Sequence, residues 1–350
     1  MIDYMKKKSI LICISTNLGI SKLIHDNLRH HNFDVTLLIE NNGEIEKFKY
    51  PSIFSRLKVK FQKLFLRDKL AKKKLESNIL KKRLIKNKID KFDYSLFFLA
   101  HNFSIDLVSY IKNRTSDNGM INFQWDGMSR YPSIYDYVKL FDRFYVFDPK
   151  DVKNDFLPAT NFYFDHNLNH LHFEYDFYFL GAHNAYRKKI IIDFANFAKK
   201  RHWNINIIII SQKIKNIYPS NITELEIQEA ISFSDNLTLS KKAKVLLDFV
   251  IDEHKGLSFR AFEALGYNKK LITTNKEITK YDFYHPNNIF ILDNNFDEIP
   301  DFLEKPYQDI DPKIKEKYSF GNWIKYVLDI HPHQPILLPL DNHEENKTVS

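Results

Sequence analysis

Two periodicities alternate along this chain. Short apolar runs with strand character, "KKSILICIS", "FDVTLLIE", "DYSLFFLAH", "GMINFQWDG" and "DRFYVFD", are separated by stretches of helical spacing such as "GISKLIHDNLRHHN" and "SIDLVSYIKNR". A β-α-β opening of this kind predicts a parallel sheet flanked by helices, with "DRFYVFD" as the last strand of the first half. The stretch "LPATNFYFDHNLNHLHFEY" (157–175) follows neither period and reads as the linker. A second series then begins with "YDFYFLG", the helical "AYRKKIIIDFANFAKKRH" and "NINIIIIS", and continues through "AKVLLDFVID", "KKLITTN" and "NIFILD".

The predicted organisation is α/β, with two doubly wound parallel-sheet halves in tandem and a cleft between them. An N-terminal domain covers 1–165 and carries an insertion at 55–91. A second domain covers 171–318, a helix at 319–332 crosses back to the first, and 333–350 forms a frayed tail. At 350 residues two cores are expected.

Composition narrows the class. An apolar share of 44%, with 30 Phe and 19 Tyr, is ample for packed cores and excludes intrinsic disorder. The single cysteine, Cys13, lies in "SILICIS", so no intramolecular disulfide forms and a reducing cytoplasm fits. The start "MIDYMKKKSILICIS" superficially resembles a signal sequence, but its short apolar run and missing cleavage site favour a first core strand. The longest apolar runs fall far short of the ~20 residues that span a bilayer.

Charge is concentrated. Between Ser55 and Lys91, twelve Lys and three Arg face only Asp68, Glu76 and Asp90, a local net of +12 in a chain of net +8. Leu57, Phe61 and Leu64, then Leu75, Ile79 and Ile89, recur there at roughly helical spacing, as in one or two amphipathic helices. A solvated face, attraction to anionic lipid and nucleic-acid binding are the three readings of this segment. Membrane attraction is preferred, and nucleic acid is not expected as a partner because no recognition motif accompanies the charge.

Candidate chemistry follows from one rule: in open α/β sheets, ligands bind beyond the carboxyl ends of strands, where helix N-termini favour anions. In "EHKGLSFRAFEALGYNKKLITTN" (253–275), Gly256 would let the backbone approach a ligand, Ser258 is the expected N-cap, and Gly266 the expected C′ glycine. Arg260 and Glu263 are three apart on one helical face and suit a diphosphate and a ribose, against the alternative of a solvated surface pair. Thr274 and Asn275 end the next strand and join the donor-binding set. In "FLGAHNAYR", Gly181 and Arg187 occupy a second strand-loop-helix turn, with Arg187 as a phosphate ligand or an exposed helix residue.

In the first half, His101 and Asp126 follow strand ends. Either could deprotonate an acceptor hydroxyl, Asp126 beside Trp125 being preferred; a core histidine and a turn aspartate are the alternatives. "DID" at 309–311 sits in a late loop, and the histidines of "HPHQP" and "HNLNHLH" lack ligand-spaced partners, so no metal is expected. No Walker loop or G-x-G-x-x-G occurs, which argues against an NTPase or nicotinamide enzyme.

The segments "AKVLLDFVIDEHKGLSFRAFEALGYNKKLITTNKEITKYDFYHPNNIFILD", "FQWDGMSRYPSIYDYVKLFDRFYVFDPKDV" and "FYFLGAHNAYRKK" resemble GT-B glycosyltransferases, particularly the bacterial CgeB-like and RfaS-like group linked to lipopolysaccharide and capsule biosynthesis. The likeness covers most of residues 94–295. It implies two Rossmann-like domains facing a cleft, a nucleotide-sugar donor, a glycan or lipid-linked acceptor, and no metal or other cofactor. It further implies that the position of Glu263 binds the ribose and that Gly256 and Arg260 lie by the diphosphate. Many retaining members carry two glutamates with seven residues between, whereas Glu253 and Glu263 have nine, so Glu253 is not carried over and retention versus inversion stays open. The resulting expectation is a cytoplasmic, peripherally membrane-associated glycosyltransferase. A sugar-nucleotide epimerase of the same fold and a non-catalytic basic docking protein are the alternatives.

Overall fold

The structure, a computed structural model, describes residues 7–15, 19–39, 48–87, 91–153, 155–166, 168–169, 171–211, 218–219, 225–251, 255–293 and 295–339. Glu253, residues 88–90 of the basic segment and the tail from 340 onward lie outside them. The chain forms two compact units: 1–146 with 151–157 and 327–330, and 147–150 with 158–326 and 331–350.

The first sheet is built from β1 (Lys8–Ile14), β2 (Phe33–Ile39), β3 (Tyr94–Phe98), β4 (Met120–Gln124), β5 (Arg143–Val146) and a two-residue edge, β6 (Leu157–Pro158), in the order β2-β1-β3-β4-β5-β6. Helices α1 (Ile20–His30), α2 (Ile53–Phe65), α3 (Ala71–Lys86) and α4 (Ile105–Lys112) connect its strands. From β1 to β5 every pairing is parallel. β1 is buried from Ile10 to Ile14, which is why it reads as an unbroken apolar run. Cys13 lies in it fully buried, and burial pushes its thiol pKa well up. Leu80 and Leu84 of α3 and Leu107, Val108 and Ile111 of α4 pack with Phe97, Phe103 and Phe144 in this unit's core.

The second sheet has the order β12-β11-β10-β7-β8-β9, all parallel. Its strands are β7 (Tyr175–Ala182), β8 (Ile205–Ile210), β9 (Leu225–Gln228), β10 (Ala243–Asp248), β11 (Lys270–Thr273) and β12 (Ile289–Ile291). The helices are α5 (Ala185–Lys200), α6 (Phe233–Lys241), α7 (Phe259–Gly266), α8 (Ile299–Glu304), α9 (Pro312–Lys317) and α10 (Phe320–Leu328). β9 and α6 went unread in the sequence because "LEIQ" is a half-exposed edge with little apolar signal.

The first part of the segment expected to be a linker is packed, while Leu168, Leu171 and Phe173 further along it are exposed. Ala159, Thr160, Asn161, Phe162, Tyr163 and Phe164 are all buried. Phe162 meets the rings of Phe259, Phe320 and Trp323, and Trp323 Nε1 donates to the Thr160 carbonyl at 3.0 Å. This irregular stretch, with the three aromatics Phe162, Tyr163 and Phe164, is stabilised by ring packing that neither periodicity registers.

Candidate active site

Each sheet has a point where the strand order reverses: between β1 and β3 in the first unit and between β7 and β10 in the second. At such a point the loops after neighbouring strands diverge to opposite faces and leave a crevice for a ligand. In the second unit a polar cluster gathers there.

Arg187, in the first turn of α5, reaches across the reversal. Its Nη1 donates to the Phe249 carbonyl at 3.1 Å, just past the end of β10, and its Nη2 donates to the Ala182 carbonyl. Its Nε has no hydrogen-bond partner among the described residues, and burial lowers its pKa, with Asp248 opposing the shift. Gly181 makes room for it: a Cβ there would lie 2.8 Å from Phe179 Cζ and 3.0 Å from Arg187 Nη2. The space that Gly181 leaves beside β7 is thus taken by the guanidinium.

Asp248, the last residue of β10, is the residue that sequence reading missed. It accepts hydrogen bonds from Ser258 Oγ at 2.9 Å and Thr273 Oγ1 at 3.1 Å, while burial pushes its pKa up. The available signal was a single carboxylate at the end of the apolar run "VLLD". Ser258 holds the expected N-cap position of α7, yet its hydroxyl donates to Asp248 and makes no cap bond to the helix.

Arg260 Nη1 and Glu263 Oε2 form an ion pair at 3.0 Å, with both side chains under a tenth exposed. Arg260 Nη2 also donates to Asn236 Oδ1 at 3.2 Å, an oxygen that accepts from Tyr178 OH at 3.1 Å, and the guanidinium lies 5.2 Å from the Tyr178 ring centre. The solvated surface pair is therefore excluded. Burial raises the Glu263 pKa, partly opposed by Arg260.

The remaining expected residues all meet groups of the protein itself, and Gly266 differs from its expected cap position. A Cβ on Gly256 would fall 2.5 Å from the Phe147 ring and 2.7 Å from the Phe147 carbonyl, so an internal contact by itself requires glycine there. Gly266 is the last residue of α7, not its C′ position: Asn268 takes the left-handed conformation at φ 53°, and Gly266 is required because a Cβ would sit 2.2 Å from Tyr163 Cγ. Thr274 and Asn275 are turn residues, the first accepting the Val250 N–H at 3.0 Å and the second capping the turn at 276–280 through the Glu277 N–H at 3.0 Å.

In the first unit, His101 and Asp126 follow the adjacent strands β3 and β4 and belong to one cluster. Asp126 binds Arg130 through both oxygens at 3.0 Å and accepts the Gly127 N–H at 2.9 Å. His101 is 8% exposed and stacks on Tyr131 at 4.3 Å; its Nδ1 has no hydrogen-bond partner among the described residues. Lys73 donates to the His101 carbonyl at 2.9 Å. Burial, assisted by the Lys73 charge and opposed by Asp126, pushes the His101 pKa down to about 4, so the ring is neutral at neutral pH. Gln124, wholly buried at the end of β4, has neither amide atom hydrogen-bonded among the described residues. It was overlooked in "INFQW" because one polar residue in an apolar strand has no periodic signature.

No protein-family model matches the chain, and neither does any curated protein. Among solved structures, an alpha-glucosyltransferase in complex with UDP and a 13-mer DNA matches at 11% identity and TM-score 0.55, covering 94% of this chain and 96% of that one. An alpha-glucosyltransferase with UDP-glucose and DNA containing an abasic site matches at 10% identity and TM-score 0.54, covering 93% and 94%. The lipopolysaccharide outer core galactosyltransferase WaaB matches at 14% identity and TM-score 0.48, covering 92% and 99%. Two of these structures hold DNA, a partner that the sequence does not lead one to expect here. With two six-stranded sheets, each doubly wound about its own switch point, this chain has the GT-B fold.

Proposed function

We propose that this protein is a glycosyltransferase that takes a sugar from a nucleotide donor bound at the β7/β10 switch point and passes it to a lipid-linked or surface glycan, as in lipopolysaccharide, capsule or exopolysaccharide assembly. The observation that carries the reading is the polar cluster there: Arg187 with an unpartnered Nε, and the buried Arg260–Glu263 pair beside Asp248. Two guanidinium groups at a strand-end crevice suit the two phosphates of a nucleoside diphosphate. Glu263 is assigned to the ribose. Because it is paired with Arg260, donor binding requires the two to part, the diphosphate taking the guanidinium as the ribose takes the carboxylate.

In the reaction the bond from the anomeric carbon to the diphosphate oxygen breaks, and the diphosphate leaves with the electron pair. The acceptor oxygen forms the new bond and gives up its proton, for which Asp126 is the assigned base and His101 its rival. Asp126 acts only once Arg130 swings away. The reading needs no metal, since the two arginines stabilise the departing charge.

The acceptor assignment rests on the resemblance across residues 94–295 and on the basic segment, which suits action at the inner face of the cytoplasmic membrane. DNA as acceptor is the second reading, favoured by the DNA held in the matched structures and by the same positive charge. A thermal-shift screen of nucleotide sugars tests the donor, because a saturating ligand raises stability by RT ln(1 + [L]/Kd). Transfer of label from the selected donor to membrane extracts or to DNA then separates the two acceptors. Donor hydrolysis or epimerisation without any acceptor overturns transfer.

A further inference from the structure

We propose that α2 is a membrane-inserting helix that lies in the plane of an anionic bilayer, with its apolar face in the lipid. The idea deepens the reading of a membrane-lodged acceptor and rests on it.

α2 faces the wrong way for a helix of a folded core. At about 100° per residue, Ile53, Phe54, Leu57, Phe61, Leu64 and Phe65 fall within about 120° of arc. All six are more than half exposed, Phe54 at 83%. The opposite side carries Ser55, Val59 and Gln62, of which Val59 is buried and the other two half-buried. The polar and small side chains thus face the protein while the large apolar ones face away. The sequence pattern Leu57, Phe61, Leu64 predicts an amphipathic helix, and the structure turns its apolar stripe outward.

The charges on the same helix choose the occupant. Ile53–Phe65 holds Arg56, Lys58, Lys60 and Lys63 and no acid, and none of these four has an ion-pair partner among the described residues. An acid-free cationic helix with Phe and Leu on one face is the composition of an interfacial helix on anionic lipid. A second copy docked two-fold on this face would set the same four cations against each other. DNA would leave six large apolar side chains without a partner, since phosphate contacts call for cations alone.

α3 plays a different part. Its Leu80 and Leu84 are in the core. Lys73 is held by His101 and Tyr137, Lys72 pairs with Glu76, and Lys74 pairs with Asp68. The +12 segment therefore divides into an anchor, α2, and a structural helix, α3.

The test is co-flotation of the full chain with vesicles of phosphatidylglycerol in phosphatidylcholine. A second readout attaches an environment-sensitive dye at Leu64→Cys, which the fully buried Cys13 leaves as the reactive thiol. Wild type should float and the dye should shift to the blue. A substantial fraction should stay bound in about 0.5 M NaCl, where surface charges are screened but insertion is not. The triple variant Phe54→Ser, Phe61→Ser, Phe65→Ser should lose about 30-fold or more in partitioning with an unchanged melting temperature, since the removed rings are exposed. Lys74→Gln with Lys82→Gln should change partitioning less than about threefold.

Equal binding by the triple serine variant, or full release by salt, overturns insertion. Loss of a dimer or of DNA binding in that variant, without vesicle binding by wild type, also overturns it. Donor stabilisation in the thermal screen with no flotation removes the anchor and leaves the transferase standing, whereas flotation with no nucleotide response does the reverse.

Discussion

The Arg260 guanidinium sits 3.0 Å from the Glu263 carboxylate, one helical turn along α7, and neither side chain exposes a tenth of its surface. Removing one partner strands a buried charge, so Arg260→Ala should destabilise the second unit by about 3–5 kcal/mol, while Arg260→Met with Glu263→Leu should stay within about 1 kcal/mol of wild type. Urea unfolding measures both. Nucleoside-diphosphate affinity then belongs to the stable double variant: if that protein binds donor as wild type does, the pair is only structural.

Gly266→Ala sets two effects of opposite sign against each other. At an exposed helix position the alanine would gain about 1 kcal/mol. Here its Cβ would stand 2.2 Å from Tyr163 Cγ, within a packed ring system. A net loss of about 1–3 kcal/mol is expected, read as a lower melting temperature. A rise would show that Tyr163 is free to move.

Asp126→Asn keeps shape but cannot take a proton, and should lower turnover by about 10² to 10⁴ with donor affinity unchanged. Arg130→Ala frees the same carboxylate and should retain or raise turnover. A steep loss in Arg130→Ala with little change in Asp126→Asn would assign the site to the guanidinium, and loss on His101→Gln alone would move the base to His101.

His101 makes stability depend on acid. Its pKa falls from an ordinary 6.5 to about 4 in the folded state, so the unfolded chain takes the proton first. The contribution is complete above pH 6.5 and is lost as the pH falls toward 4, by roughly 3 kcal/mol. The slope of unfolding free energy against pH across that window should be shallower in His101→Gln. An unchanged slope would place the acid sensitivity elsewhere.

Much of the candidate site could be read from the chain because strand ends are visible in it. "VLLDFVID", "FLGAHNAYR" and "FQWDG" each show an apolar run stopping at polar residues, and that punctuation places Arg187, Ser258, Arg260 and Asp126 near loops at carboxyl ends. Asp248 and Gln124 escaped because each is one polar residue closing an apolar run, and a single position carries no period. Gly256 and Gly266 were located but assigned to a ligand and a cap, when Phe147 and Tyr163, more than a hundred residues earlier, are what require them.

Taken alone, the sequence determined the alternation of strands and helices, two parallel-sheet halves, the basic segment and the existence of amphipathic helices within it. These follow from local periodicity and from the charge of each residue. Only the tertiary structure decided that Arg260 and Glu263 are buried together, that residues 159–164 of the expected linker are packed, and that the apolar stripe of α2 points away from the protein while α3 enters the core. Periodicity states which side chains share a face. What lies against that face is set by residues distant in the chain, and the burial that gives a charge or an aromatic ring its role does not exist until they pack.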